Sequence, residues 1–102
     1  MAQPKVELLF WEGCPSHPAA LAQLRALLGD DVPVNMREIV SEEDAVAAGF
    51  PGSPTIRVDG EDLFPSDEPP SLTCRVYRLA DGRFSPTPDP GELREALKRS
   101  QG

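Results

Sequence analysis

Residues 5–11 form a short apolar run in which only Glu7 interrupts Val6, Leu8, Leu9, Phe10 and Trp11. Closed by Gly13, the run predicts a buried strand over Lys5–Trp11. A helical pattern follows from about Ser16 to Leu28. Leu21, Leu24 and Leu28 recur at i, i+3 and i+7, and Ala20 and Leu27 flank them to make one apolar stripe. The helix start has two readings. Cys14 caps it with Pro15 at the first helical position, or Ser16 caps it with Pro18 in the first turn. The first reading puts Pro18 where a backbone N–H is wanted. Both place Cys14 at or just before the helix N-terminus. Gly29 ends the helix, and Asp30-Asp31 make the loop.

Pro33–Val40 predicts a second strand, with Val34 and Met36 on one face and the alternation broken at Glu38. Ser41 reads as an N-cap with Asp44 three residues on, the spacing of a capping box, and the short helix ends before Gly49. Thr55–Val58 predicts a strand. Asp59-Gly60 is a hairpin signal, and Glu61–Phe64 is the expected return strand. Pro65-Ser66-Asp67-Glu68-Pro69-Pro70 is a polar, proline-rich loop. Thr73–Leu79, which carries Cys74, Val76 and Tyr77, predicts a further strand, and Asp81-Gly82 a turn before Arg83-Phe84. Asp89-Pro90-Gly91-Glu92 has the cap, proline and first-turn acid of a helix start, with Leu93, Ala96 and Leu97 on its buried side. The order β-α-β-α-β-β, an inserted loop and strand, then α, predicts an α/β fold in one domain over residues 1–102. Its early strands are expected to pair in parallel, and the hairpin to add an antiparallel edge.

The 102 residues suit one small domain. A hydrophobic share of 39% and a charged share of 26% fit a globular chain with a modest core. The net charge of −7 argues against a nucleic-acid surface, which needs clustered Lys and Arg. No apolar stretch approaches a membrane span, and Val6–Trp11 is too short and too polar for a signal-peptide core. The chain therefore reads as cytoplasmic, with neither membrane nor nucleic acid among its expected partners. Two cysteines in such a chain suggest redox or metal chemistry more than a structural staple. Two small buried hydrophobes are the plainer alternative.

Two segments share a pattern. Phe10-Trp11-Glu12-Gly13-Cys14-Pro15-Ser16-His17 puts a cysteine at a strand-to-helix turn. Gly49-Phe50-Pro51-Gly52-Ser53-Pro54-Thr55-Ile56 leads into a strand about forty residues later, and Val58-Asp59-Gly60-Glu61 follows it. Together they resemble the thioredoxin superfamily over roughly the first sixty-five residues and the last helix. Cys14-Pro15 is similar to glutaredoxins and bacterial disulfide oxidases. The set resembles small bacterial thioredoxin-like proteins, some of which are labelled alkylmercury lyases. The resemblance implies a thioredoxin-like fold with a central mixed sheet flanked by helices, and a cis bond before Pro54. It also implies thiol-disulfide chemistry on protein disulfides or small-molecule thiols, without a cofactor or resident metal. The family's second cysteine, three residues after the first, is His17 here, so no disulfide forms within the motif.

Cys14 is the candidate nucleophile, because a helix N-terminus stabilises the thiolate that does the attacking. His17 is placed to hydrogen-bond the thiol or pair with it as imidazolium, either of which lowers the thiol pKa. A cis turn at Pro54 would set the Ser53 backbone beside Cys14, where an extended substrate adds as a strand. Pro15 would border that groove, and Trp11 reads equally as its border or as a core residue. Cys74 keeps three readings: it resolves an intermediate on Cys14, joins Cys14 around a soft metal, or is a buried apolar residue. The leading expectation is a thiol-redox protein. A soft-metal or organomercurial binder is one rival, and a non-catalytic interaction module the other. Glu12, Asp59 and Glu61 read as solvated. One His and two Cys are too few for a structural zinc site in one chain.

Overall fold

The computed structural model describes residues 5–29 and 31–101. Asp30, half of the expected loop after the first helix, lies outside them. The elements run β1 (Val6–Phe10), α1 (His17–Leu28), β2 (Val34–Glu38), α2 (Glu42–Ala48), β3 (Thr55–Val58), β4 (Glu61–Asp62), β5 (Tyr77–Arg78), β6 (Phe84–Ser85) and α3 (Pro90–Gln101). Four strands make a mixed sheet in the order β2-β1-β3-β4. β1 pairs with β2 in parallel and with β3 antiparallel, and the β3–β4 hairpin closes one edge. β5 and β6 form a separate two-stranded ladder.

The period-2 alternation of a strand splits the core in two. Val6 and Leu8 of β1 share one face with Ile56 and Val58 of β3. They pack on Ala20 and Leu24 of α1 and on Leu93 and Leu97 of α3. Leu9 points to the opposite face and joins Ile39, Ala45 of α2 and Phe50, with Trp11 partly buried against them. β2 is the outer strand on its side, and everything from Asn35 to Glu38 is exposed. Its broken alternation reflects a strand with little to bury.

Local chemistry sets the ends of the elements. The Ser41 hydroxyl accepts from the Asp44 N–H at 3.0 Å, while the Asp44 carboxylate accepts from Val40 N–H at 3.1 Å. Gly49 ends α2 at φ 63°, in the left-handed region. Asp89 caps α3 by accepting from Gly91 and Glu92 N–H. α1 starts at His17 with Ser16 as N-cap and Pro18 in the first turn, the second of the two starts expected.

Two expected strands are much shorter than predicted. Glu61–Phe64 pairs only over Glu61–Asp62. There the chain leaves the sheet, as Asp62 turns its carboxylate back to accept from Phe64 N–H at 2.9 Å. Of Thr73–Leu79 only Tyr77–Arg78 is a paired strand, and Cys74 makes an isolated parallel bridge with Ser53. The period-2 alternation persists where the ladder does not: Arg75 and Tyr77 are buried, and Cys74, Val76 and Arg78 are exposed.

Candidate functional site

Three segments converge at the C-terminal end of β1. The turn after β1 places Cys14 two residues before the α1 cap, with its N–H donating to Trp11 O at 3.0 Å. Gly13 precedes it because the Trp11 indole lies over that position, so any Cβ there would collide with the ring. The second segment is the turn into β3, where the Ser53–Pro54 peptide is cis. The cysteine and this turn are in contact: Cys14 Sγ lies 3.6 Å from Ser53 O and 3.3 Å from Ser16 Oγ. The third segment is Ser71–Tyr77.

Cys14 and Cys74 form a disulfide across 60 residues of sequence, with their Cα atoms 5.6 Å apart. The two sulfurs meet in different surroundings. Cys14 is 2% exposed, whereas Cys74 sits at the surface. Thus Cys74 is neither a buried apolar residue nor remote from the turn.

The segment that brings Cys74 there is fixed by its own backbone and by two side chains. Ser53 N–H donates to Thr73 O and Arg75 N–H donates to Ser53 O, each at 2.8 Å. Ser71 N–H donates to Phe50 O at 2.9 Å. Gly52, at φ 140°, allows the close approach, since a Cβ there would meet the Arg75 backbone at 3.0 Å. Arg75 is 8% exposed. Its guanidinium pairs with Asp62 at 2.9 Å, donates to Thr55 Oγ1 at 3.3 Å and to Phe64 O, and lies over the Tyr77 ring. Tyr77 donates its hydroxyl to Pro54 O and meets Phe64 edge-on. Burial pushes its phenol pKa well above the ordinary tyrosine value, opposed by the nearby Arg75 charge.

This arrangement corrects two expectations. The Ser53 backbone is not open to an extended substrate, because both of its hydrogen-bonding groups are held by residues 73–75. Ser53 and Pro54 are themselves buried. His17 does not reach the sulfur: its Nδ1 lies 3.1 Å from Cys14 O, its Nε2 3.9 Å from a Glu12 carboxylate oxygen, and its ring stacks on Phe10. A donating Nδ1–H fits that carbonyl, so His17 orders the turn and leaves the sulfur to Ser16. Trp11 is half-buried against the α2 side of the core, and Pro15 is exposed next to Cys14.

Arg75 and Tyr77 were missing from the sequence-derived site. An arginine embedded between Cys74 and the apolar pair Val76-Tyr77 is the one signal for them, since a charge in such a run is either exposed or internally paired. Among the described residues, no group of three or more His, Cys, Asp and Glu side chains is placed to hold a metal ion. Nor is any helix among them long and apolar enough to cross a membrane. Chemically, the site offers a two-electron couple: one disulfide opens to two thiols, one sheltered and one exposed. No family model, curated protein or solved structure matches this chain.

Proposed function

We propose that this protein is a thioredoxin-like thiol-disulfide oxidoreductase whose redox pair is Cys14 and Cys74. The reading is carried by the Cys14–Cys74 disulfide at the head of α1, beside the cis Ser53–Pro54 peptide. The order of elements and the two quoted motifs support the thioredoxin-like assignment. Opening the disulfide takes up two electrons and two protons from a partner dithiol or two thiols, and closing it returns them to a partner disulfide. Released as a thiolate, Cys14 lies two residues before the α1 cap and 3.3 Å from the Ser16 hydroxyl, and both the helix N-terminus and that hydroxyl favour the anion. In the cytoplasm, where thiols are kept reduced, a disulfide is ordinarily transient and catalytic. The partner classes are protein disulfides and low-molecular-weight thiols, and no cofactor is needed for the exchange.

The contact between the sulfurs favours one second reading. Reduced, the pair presents two thiolates to a soft ion such as Hg²⁺ or Cu⁺. Alkylation of each cysteine against pH, resolved by mass spectrometry after reduction, tests the first reading together with titration of the disulfide in thiol buffers. Cys14 should react as a thiol well below the ordinary value of about 8.5, and the disulfide should re-form reversibly. Ordinary reactivity with no exchange would leave a binding module, and tight stoichiometric Hg²⁺ uptake without exchange would select the metal reading.

A further inference from the structure

We infer that Cys74, not Cys14, is the sulfur that exchanges with an external partner, and that the partner is a zwitterionic low-molecular-weight thiol seated in the cleft beside it. The inference rests on the disulfide-exchange reading above and reverses the order of attack expected from sequence.

Access decides which sulfur reacts. A thiolate attacks one sulfur of a disulfide while the other departs, and the rate depends on reaching the attacked atom. Cys14 is 2% exposed beneath the turn, and Cys74 is exposed. Cys74 also lines a cleft of about 580 Å³ whose wall includes Phe64, Ser66, Glu68, Arg78 and Glu92. That volume is within the usual range for a small-molecule site. Cys14 is not part of that wall.

The filled edge at Ser53 argues for a small partner. An extended peptide would need the N–H and C=O that residues 73–75 already occupy, so the chain's own strand stands where a substrate strand would lie. Charge narrows the class. Arg75 spends its guanidinium on Asp62, Thr55 and Phe64. Arg78, Glu68 and Glu92 have no side-chain partner among the described residues. A cleft with one unpaired guanidinium and two unpaired carboxylates suits a ligand carrying both a carboxylate and an ammonium.

Exchange takes two displacements. The ligand thiolate bonds to Cys74 Sγ as the Cys74–Cys14 bond breaks, and the electron pair leaves on Cys14 as its thiolate. A second ligand thiolate then attacks the ligand sulfur of the mixed disulfide and releases Cys74 as thiolate. Two ligand thiols become one ligand disulfide, and the protein disulfide becomes a dithiol.

The test uses the full oxidised chain and L-cysteine as probe, with acid quenching and peptide mapping of the first adduct. The cysteinyl group is expected on Cys74, and an adduct on Cys14 overturns the inference. With L-cystine, Cys14→Ser should form its adduct at least about tenfold faster than Cys74→Ser, from access alone; the reverse order overturns it too. Matched circular-dichroism spectra show that both variants are folded, and the wild-type mapping stands without them. At equal thiolate concentration, L-cysteine should outpace β-mercaptoethanol, and Arg78→Ala or Glu68→Gln should each cut that ratio by about threefold. A ratio of one, or one that neither change moves, overturns the ligand class. Exchange that runs through Cys14 would sink this inference and leave the redox function standing. A folded protein whose disulfide opens in no thiol buffer would sink both.

Discussion

Two regions of this chain are held together by different physics. Through β4 the chain is layered, and its stability comes from repeated apolar burial against a sheet. From Phe64 to Tyr77 it has almost no repeating structure and is held by single tethers: one disulfide, backbone bonds to Ser53 and Phe50, one buried arginine and one buried phenol. A layered region spreads its energy, so its losses are graded and global. A tethered region concentrates it, so removing one group leaves a buried partner unsatisfied and frees only the local chain. The exposed half of the disulfide lies in the tethered region and the sheltered half in the layered one.

Removing the tether with the longest reach should have the largest effect. The disulfide closes a loop of 60 residues, for which chain entropy predicts about 4 kcal/mol of stabilisation. Urea unfolding of the oxidised protein and of the same protein in dithiothreitol should differ by about that amount. A difference near zero would mean that the reduced unfolded chain retains enough residual structure to be confined without the bond.

Next come Leu24→Ala and Arg75→Ala, each expected to cost about 3 kcal/mol, one by a cavity and the other by stranding Asp62. They are separated by where the loss appears in hydrogen exchange. Leu24→Ala should lower protection throughout β1 and β3. Arg75→Ala should expose the amides of Ser53 and residue 75 and leave β1 protected. Loss of β1 protection in the arginine variant would show that the two regions unfold as one.

The smallest effect concerns Tyr77. Burial raises its folded pKa, so the unfolded chain ionises first. The contribution of the neutral phenol is therefore whole below the ordinary value of about 10 and is lost as pH rises toward the folded value. Stability measured from pH 9 to 11 should decline in the native protein. Tyr77→Phe should remove the part of that decline due to this residue, at a cost of about 1 kcal/mol at neutral pH from the unpaired Pro54 carbonyl.

The same division explains how far the sequence could be read. Helix and strand placement in the layered region followed from periodicity and punctuation: the Leu21-Leu24-Leu28 stripe, the Ser41 cap and the Asp59-Gly60 turn all mark real features. The position of Cys14 before α1 was legible for the same reason, whereas the cis bond at Pro54 was expected only from the resemblance, since an X–Pro bond is otherwise cis in only about 5% of cases. Strand order was not legible, because nothing in the pattern of Thr55–Val58 says that it pairs with β1. The meeting of Cys14 with Cys74 was left open, because a contact across 60 residues has no local signature. His17 was expected at the sulfur on spacing alone. Which atom its ring meets depends on the Phe10 stack and the Cys14 carbonyl, both set by how the turn folds.

The disulfide also has a mechanical consequence. Residues 14 and 74 fence off more than half of the chain from any pull applied at its two ends. Stretched in the oxidised state, the molecule can pay out only what lies outside that loop. Cleaving one S–S bond should release roughly 200 Å of further contour at about 3.5 Å per residue. In a force experiment the redox state would thus be read as a length, one molecule at a time.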